Sequence, residues 1–266
     1  MSPSAMTARQ TPWKRDGWEA AVRVGVLIPH ADVGPESELG AMAPPEVAIH
    51  GTRVPFGAMA ADGAMEPTIP LAPVRRFAEP PDLDDAAALL ADAPLHVIAY
   101  GFTSSAYVIG PAGERDMIAR LEARTRGIPV VATCAAAVEG LRALGVERMM
   151  LVDPPWFDSE LNGMGRRYYE LSGLQVVHAT PCGLASVQGA IKPEALYAWV
   201  IGHMVDDAEA IVIGGNGFRA VGAINALEAD LNRPVITANQ GLLWAALRTA
   251  GRDVRAITDY GRLFSL

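Results

Sequence analysis

The chain has 266 residues, half of them hydrophobic, with 22 Lys and Arg against 30 Asp and Glu and a net charge of −8. That length is enough for two lobes with buried cores, and the acidic balance argues against nucleic-acid or membrane-surface partners, which need a basic face. No apolar run approaches the ~20 residues of a membrane span, and the two cysteines, Cys134 and Cys182, suit neither a zinc site nor a disulfide framework.

The polar start over residues 1–20 lacks the apolar centre of a secretory signal. It reads as a loose extension, and the cytoplasm is the expected compartment. Beyond it the elements come twice. Residues 22–39, VRVGVLIPHADVGPESEL, read as a strand, a proline and a polar loop into Ser-Glu-Leu. A second strand in PPEVAIHGTRV (44–54) carries His50. A third, in LHVIAYGFTSSAY (95–107), runs into a helix start. RGIPVVATCAAAVEGLRALG (126–145) adds a fourth strand and its helix. The second series begins with ERMMLVDPPWFDSEL (147–161), again ending in Ser-Glu-Leu. It continues with SGLQVVHATPC (172–182), which carries His178, then AEAIVIGGNGFRA (208–220) and NRPVITANQGLLWAALRTAG (232–251).

Short, uniformly apolar strands alternating with amphipathic helices imply parallel sheets covered on both faces. The expected fold is α/β, with two Rossmann-like lobes related by a pseudo-twofold. Each lobe holds a mainly four-stranded parallel sheet. We place the first lobe at residues 21–135 plus 240–266 and the second at 136–239. Ligands of such sheets bind beyond the carboxyl ends of the strands, so a cleft between the lobes collects the paired loops. Phe102 matches Gly215 after the third strands, and Cys134 matches Asn239 after the fourth. His30-Ala31-Asp32 matches Pro155-Trp156-Phe157-Asp158 after the first.

The loop residues set the candidate chemistry. Thr103 and Ser104 can offer an oxyanion pocket at a helix start, or simply cap that helix. Gly215, Asn216 and Gly217 form the mirror pocket, in a turn expected to open a helix; a tight turn with positive φ explains the glycines equally well. The nucleotide-binding GxGxxG spacing and a phosphate-loop Lys-Ser/Thr are absent, so an oxygen-bearing organic group fits the turn better than a phosphate. Cys134 at a helix N-terminus is placed for a lowered thiol pKa, or is a small buried thiol. His30 beside Asp32 can move protons near neutral pH. Trp156 can wall a pocket. Glu36 and Glu38 are accounted for as acids near a helix start, and His50 and His178 as structural residues. Cys182, after a second strand, lies away from the third-strand loops. His96 and His203 carry no readable signal.

Taken in order, these segments resemble the aspartate/glutamate racemase superfamily, in particular its maleate cis-trans isomerase and arylmalonate decarboxylase branch. The resemblance covers roughly residues 20–266. It rests on VGVLIP, Thr103-Ser104, GLRALGVERMML (140–151), GGNGFRA (214–220), Trp244 and DYGRLF (259–264). It implies cofactor-free chemistry, without metal, at a carbon next to a carboxylate, flanked by one cysteine from each lobe. The matching positions here hold Phe102 and Gly215, so both family thiols are missing. The carboxylate-holding Asn of the first loop matches Asp32, and a family Tyr matches Trp156.

The resemblance implies an isomerase, racemase or decarboxylase-like lyase acting on a small carboxylic acid or related carbonyl compound. An enolate-like intermediate would form, with the oxyanion held by Thr103, Ser104 and the 215–217 turn. Protons would be moved by His30 and Asp32, or by Cys134, and Phe102 would make its side of the pocket apolar. A homo-oligomer is expected by resemblance alone. The alternative is a non-catalytic small-ligand-binding protein that keeps the fold.

Overall fold

The structure is a computed structural model that describes residues 14, 16–61, 63 and 66–266. Most of the extension expected over residues 1–20 lies outside these.

The first half runs β1 (Val22–Pro29), α1 (Gly34–Met42), β2 (Val47–Val54), α2 (Leu71–Phe77), α3 (Asp82–Leu90), β3 (Val97–Tyr100), α4 (Thr103–Arg124), β4 (Val130–Ala132) and α5 (Thr133–Ala143). The second runs β5 (Arg148–Asp153), α6 (Ser159–Leu171), β6 (Gln175–Pro181), α7 (Pro193–His203), β7 (Ala210–Ile213), α8 (Ile224–Leu231), β8 (Val235–Thr237) and α9 (Ala238–Thr249). The first sheet has the order β2-β1-β3-β4 and the second β6-β5-β7-β8. All the pairings are parallel. The two halves therefore repeat one topology, and the fold is the two-lobed α/β arrangement expected from the repeated segments.

The uniform apolar runs are explained by position. β3 and β7 are internal strands, and all four residues of each are buried. β2 is an edge strand and leaves His50, Gly51 and Arg53 exposed. The crossovers between second and third strands are helical, through α2 and α3 in one half and α7 in the other. These helices carry no repeat signal in the sequence, although a parallel pairing requires a crossover there.

Two loops depart from expectation. In the first half α4 begins at Thr103, directly after β3. In the second, Gly214–Ala220 continue as loop into a 3₁₀ turn at Val221–Ala223, and α8 starts only at Ile224. The glycine-rich turn is thus not a helix N-terminus. The N-cap of α4 is Phe102, with no side-chain capping bond. Thr103 and Ser104 are already inside the first turn and do not act as caps.

α5 packs on α9, and α9 also touches β3, β4 and β8. α5 carries the chain from the first sheet to the second, and α9, which follows β8, packs back against β3 and β4 of the first sheet. Thr237 and Gln240 close the start of α9 with a reciprocal capping box. Among the described residues no helix is long and apolar enough to cross a membrane.

Candidate active site

The carboxyl ends of β1, β3, β5 and β7 converge on a small cavity. Its walls include Asp32 from the β1 loop, Phe102, Thr103 and Ser104 from β3–α4, Trp156 and Phe157 from the β5 loop, and Gly215, Asn216 and Gly217 from the β7 loop. Its free volume is about 20 Å³, room for roughly one water. Every substrate-binding candidate from the sequence is on this wall.

The proton-moving candidates are not all there. Asp32 is on the wall and 4% exposed, with Oδ1 accepting from the Gly34 N–H at 2.9 Å. Burial pushes its carboxyl above the ordinary carboxylate range. The Gly34 N–H and the side chain of Gln188, also on the wall, favour the charged form but do not offset the burial. Among the described residues Asp32 is the one ionisable side chain lining the cavity.

His30 stands two residues earlier, half-buried and off the wall. Its Nδ1 accepts the N–H of Phe56 at 3.1 Å, so the proton of the neutral ring is on Nε2. The lining residue Phe56 is therefore oriented through His30, which does not itself face the cavity.

Cys134 is fully buried behind the wall, with Sγ 3.6 Å from the Thr103 carbonyl oxygen. Burial, and then the nearby Glu114 and Asp153 carboxyls, push its thiol pKa well up. The lowered pKa expected of a helix N-terminus is overturned, because desolvation of the thiolate exceeds the pull of the helix. Burial also raises the Cys182 thiol, to about 11.

Behind the cavity lies a polar seam that closes on itself. Thr103 donates its N–H and its hydroxyl to Asn216 Oδ1, at 2.9 and 2.8 Å. Its Oγ1 in turn accepts the Gly215 N–H at 3.1 Å. Asn216 Nδ2 donates to Thr133 Oγ1 at 3.0 Å and to Asn239 Oδ1 at 2.9 Å. Asn239 Nδ2 donates to Glu38 Oε2 at 2.8 Å, and Glu38 Oε1 accepts from the N–H groups of Ala220 and Val221. The polar groups of Thr103 and Asn216 thus hold the two halves together, and the expectation that they stand free for an oxyanion needs correction. Among the described residues no partner takes the Ser104 hydroxyl or the Trp156 indole N–H. Those two wall donors are open to a ligand oxygen.

Phe56, Met59, Ile69, Phe157 and Gln188 are further wall residues that no motif in the sequence marks. Nor does any motif mark Glu38, whose burial shows only in three dimensions. For Asn239 a signal existed, since it is the repeat partner of Cys134. Among the described residues no group of three or more His, Cys, Asp and Glu converges as a metal ion would require.

Residues 81–264 match the arylmalonate decarboxylase family. The chain is 26% identical to arylmalonate decarboxylase of Bordetella bronchiseptica over 172 residues, 61% of this chain and 68% of the relative. It is 25% identical to maleate isomerase of Geobacillus stearothermophilus over 173 residues, 62% of this chain and 68% of that one. The fold superposes on the maleate isomerase of Pseudomonas putida S16, solved with maleate, with a TM-score of 0.79 at 24% identity, over 92% of this chain and 97% of that one. With its family match running over most of its length, the chain belongs to the arylmalonate decarboxylase family.

Proposed function

We propose that the protein is a cofactor-independent enzyme of the isomerase or decarboxylase type. Its substrate is a small carboxylic acid or related carbonyl compound, and the reaction passes through an enolate-like intermediate without a cysteine. The observation that carries this reading is the position of Asp32, the one ionisable side chain on the cavity wall among the described residues. Phe102 and Gly215, which the family resemblance pairs with catalytic thiols, supply no acid or base, and both cysteines of the chain are buried elsewhere.

In an isomerisation, ionised Asp32 takes the proton from the carbon next to the carbonyl, and the C–H electron pair enters an enolate. The resulting Asp32 carboxylic acid returns a proton to the opposite face of that carbon once the enolate has turned, or to the far carbon of a conjugated enolate, so that the product differs from the substrate. In a decarboxylation, the C–C pair enters the enolate as carbon dioxide leaves, and protonated Asp32 donates to the carbon. Ser104 O–H and Trp156 N–H are the donors for the enolate oxygen. A carboxyl held above its ordinary range suits both roles, because its two states lie closer in energy at neutral pH.

The test is deuterium incorporation or carbon dioxide release, followed by NMR in D2O, over a panel of arylmalonates, maleate and 2-substituted carboxylic acids. Turnover with at least a ~10²-fold loss in Asp32→Asn supports the reading. Full activity in that variant would show that Asp32 is not the proton carrier. Binding without any turnover would instead favour a ligand-binding protein, a reading that the cavity's mostly apolar wall also accommodates.

A further inference from the structure

Next to the cavity lies a second space of about 490 Å³ between α1, the 3₁₀ turn at Gln188–Ala190 and the Gly217–Gly222 loop. That volume is ordinary for a small-molecule site, where about 300–1,000 Å³ is usual. Val33, Ala41, Pro193 and Val221 line it. Glu38 reaches it with both oxygens already taken by N–H donors, and Arg219 lies at its exposed side.

Among the described residues, Gln188 and Gly217 alone line both spaces. Gly217 has no side chain, so the partition is the Gln188 carboxamide lying over it. A Cβ at position 217 would overlap the Gln188 amide nitrogen and sit 2.7 Å from Asp32 Oδ2. The amide therefore fills the gap beside the Asp32 carboxyl. The inner cavity, at about 20 Å³, holds roughly one water, less than a carboxylate with its neighbouring carbon needs. Swinging the Gln188 side chain is the motion that joins it to the larger space.

We propose that the substrate spans both spaces, with its reacting end beside Asp32 and an extended, largely apolar chain in the outer chamber. Gln188 is the residue that divides the two and governs the length of molecule accepted. This rests on the functional reading above and narrows its substrate class to chain-bearing carboxylic acids.

The experiment is calorimetric binding of acetate, butyrate, hexanoate and octanoate to the full chain. Affinity should rise along the series by about fourfold for each methylene that reaches the chamber. Ala41→Trp, at an exposed position of α1 on the chamber wall, should abolish that rise and leave acetate unchanged. Ser37→Tyr, also exposed on α1, gives a second block should the first fail to fold. Gln188→Ala should tighten octanoate at least threefold, because no side chain must then be displaced. A flat series in the wild type, or a rise that survives both blocking variants, overturns the chamber while acetate binding lost in Asp32→Ala leaves the functional reading standing. Failure of every acid to bind, acetate included, overturns both.

Discussion

Thr103 and Asn216 occupy repeat-equivalent positions, each one residue after the place where the family resemblance puts a thiol, and they are bonded to each other. The Asn216 amide oxygen accepts both the N–H and the hydroxyl of Thr103, at 2.9 and 2.8 Å. Both residues are at least 97% buried. One contact thus joins the β3 and β7 loops and fixes the distance between the two sides of the cavity. Asn216 extends that contact through its amide nitrogen to Thr133 and Asn239.

Removing Asn216 should therefore act on the whole molecule. Asn216→Ala leaves the Thr103 N–H and hydroxyl, and the Asn239 amide oxygen, without their partners. A buried unpaired group of this kind costs about 1–3 kcal/mol, so with three of them a total loss of at least about 3 kcal/mol is expected. Asn239→Ala should cost less by itself, and the double variant should fall short of the sum, since the two amides share one network. Urea unfolding of the three variants measures this. Strict additivity would show that the seam does not act as a unit.

A second buried cluster should make stability depend on pH. Asp153 and Glu114 are essentially unexposed, and burial raises each carboxyl to about 7. Asp153 accepts from Tyr107 Oη at 3.0 Å and Asn162 Nδ2 at 2.8 Å, and Glu114 accepts from Tyr168. With folded values above the unfolded ones of 3.8 and 4.5, the unfolded chain loses its protons first as pH rises. Stability contributed by these groups is full below about 4, falls between about 4 and 7, and levels off above that. Asp153→Asn should shrink the fall in melting temperature across this window, because the amide has no charge to desolvate and its oxygen can still accept. An unchanged slope would remove Asp153 from the explanation.

Much of the architecture was readable in the sequence. A repeated order of apolar strands survives as two sheets of identical strand order because an internal parallel strand must be apolar on both faces. The wall residues Phe102, Thr103, Ser104, Trp156, Gly215, Asn216 and Gly217 were readable for a related reason: loops after equivalent strands meet by topology. What could not be read was which way each side chain turns. His30 and Cys134 lie within two residues of wall or seam positions, but one faces Phe56 and the other the interior. Gln188 comes from a connection without helical or strand periodicity. Glu38 looks like an ordinary helix acid until its partners 182 and 183 residues away are seen.

Gly215 is not a free position for restoring a thiol. Its φ is +84°, and a Cβ there would overlap Pro154. Gly215→Cys should destabilise by about 1–3 kcal/mol from the left-handed backbone, with the proline contact in addition. Pro154→Gly in the same chain should recover the contact part alone. Thermal unfolding of the single and double variants separates the two causes. A Gly215→Cys protein as stable as the wild type would show that this loop relaxes readily.

The proton on Asp32 should be visible in binding. A carboxylate ligand entering the cavity meets a carboxyl that burial holds above its ordinary range. Ionised Asp32 repels an ionised acetate placed beside it, so acetate binds with one proton shared between the two. Acetate affinity should then be constant while Asp32 is protonated in the free protein. It should fall as pH rises through the raised Asp32 pKa, approaching tenfold per pH unit, because each binding event then takes up a proton. Asp32→Asn is neutral throughout and should bind acetate with no such fall, while losing turnover. Calorimetry in two buffers of different ionisation enthalpy counts the proton directly. If wild-type affinity does not fall as pH rises and no proton is taken up, Asp32 meets the ligand as a bystander and the proton-carrying role must pass to another group.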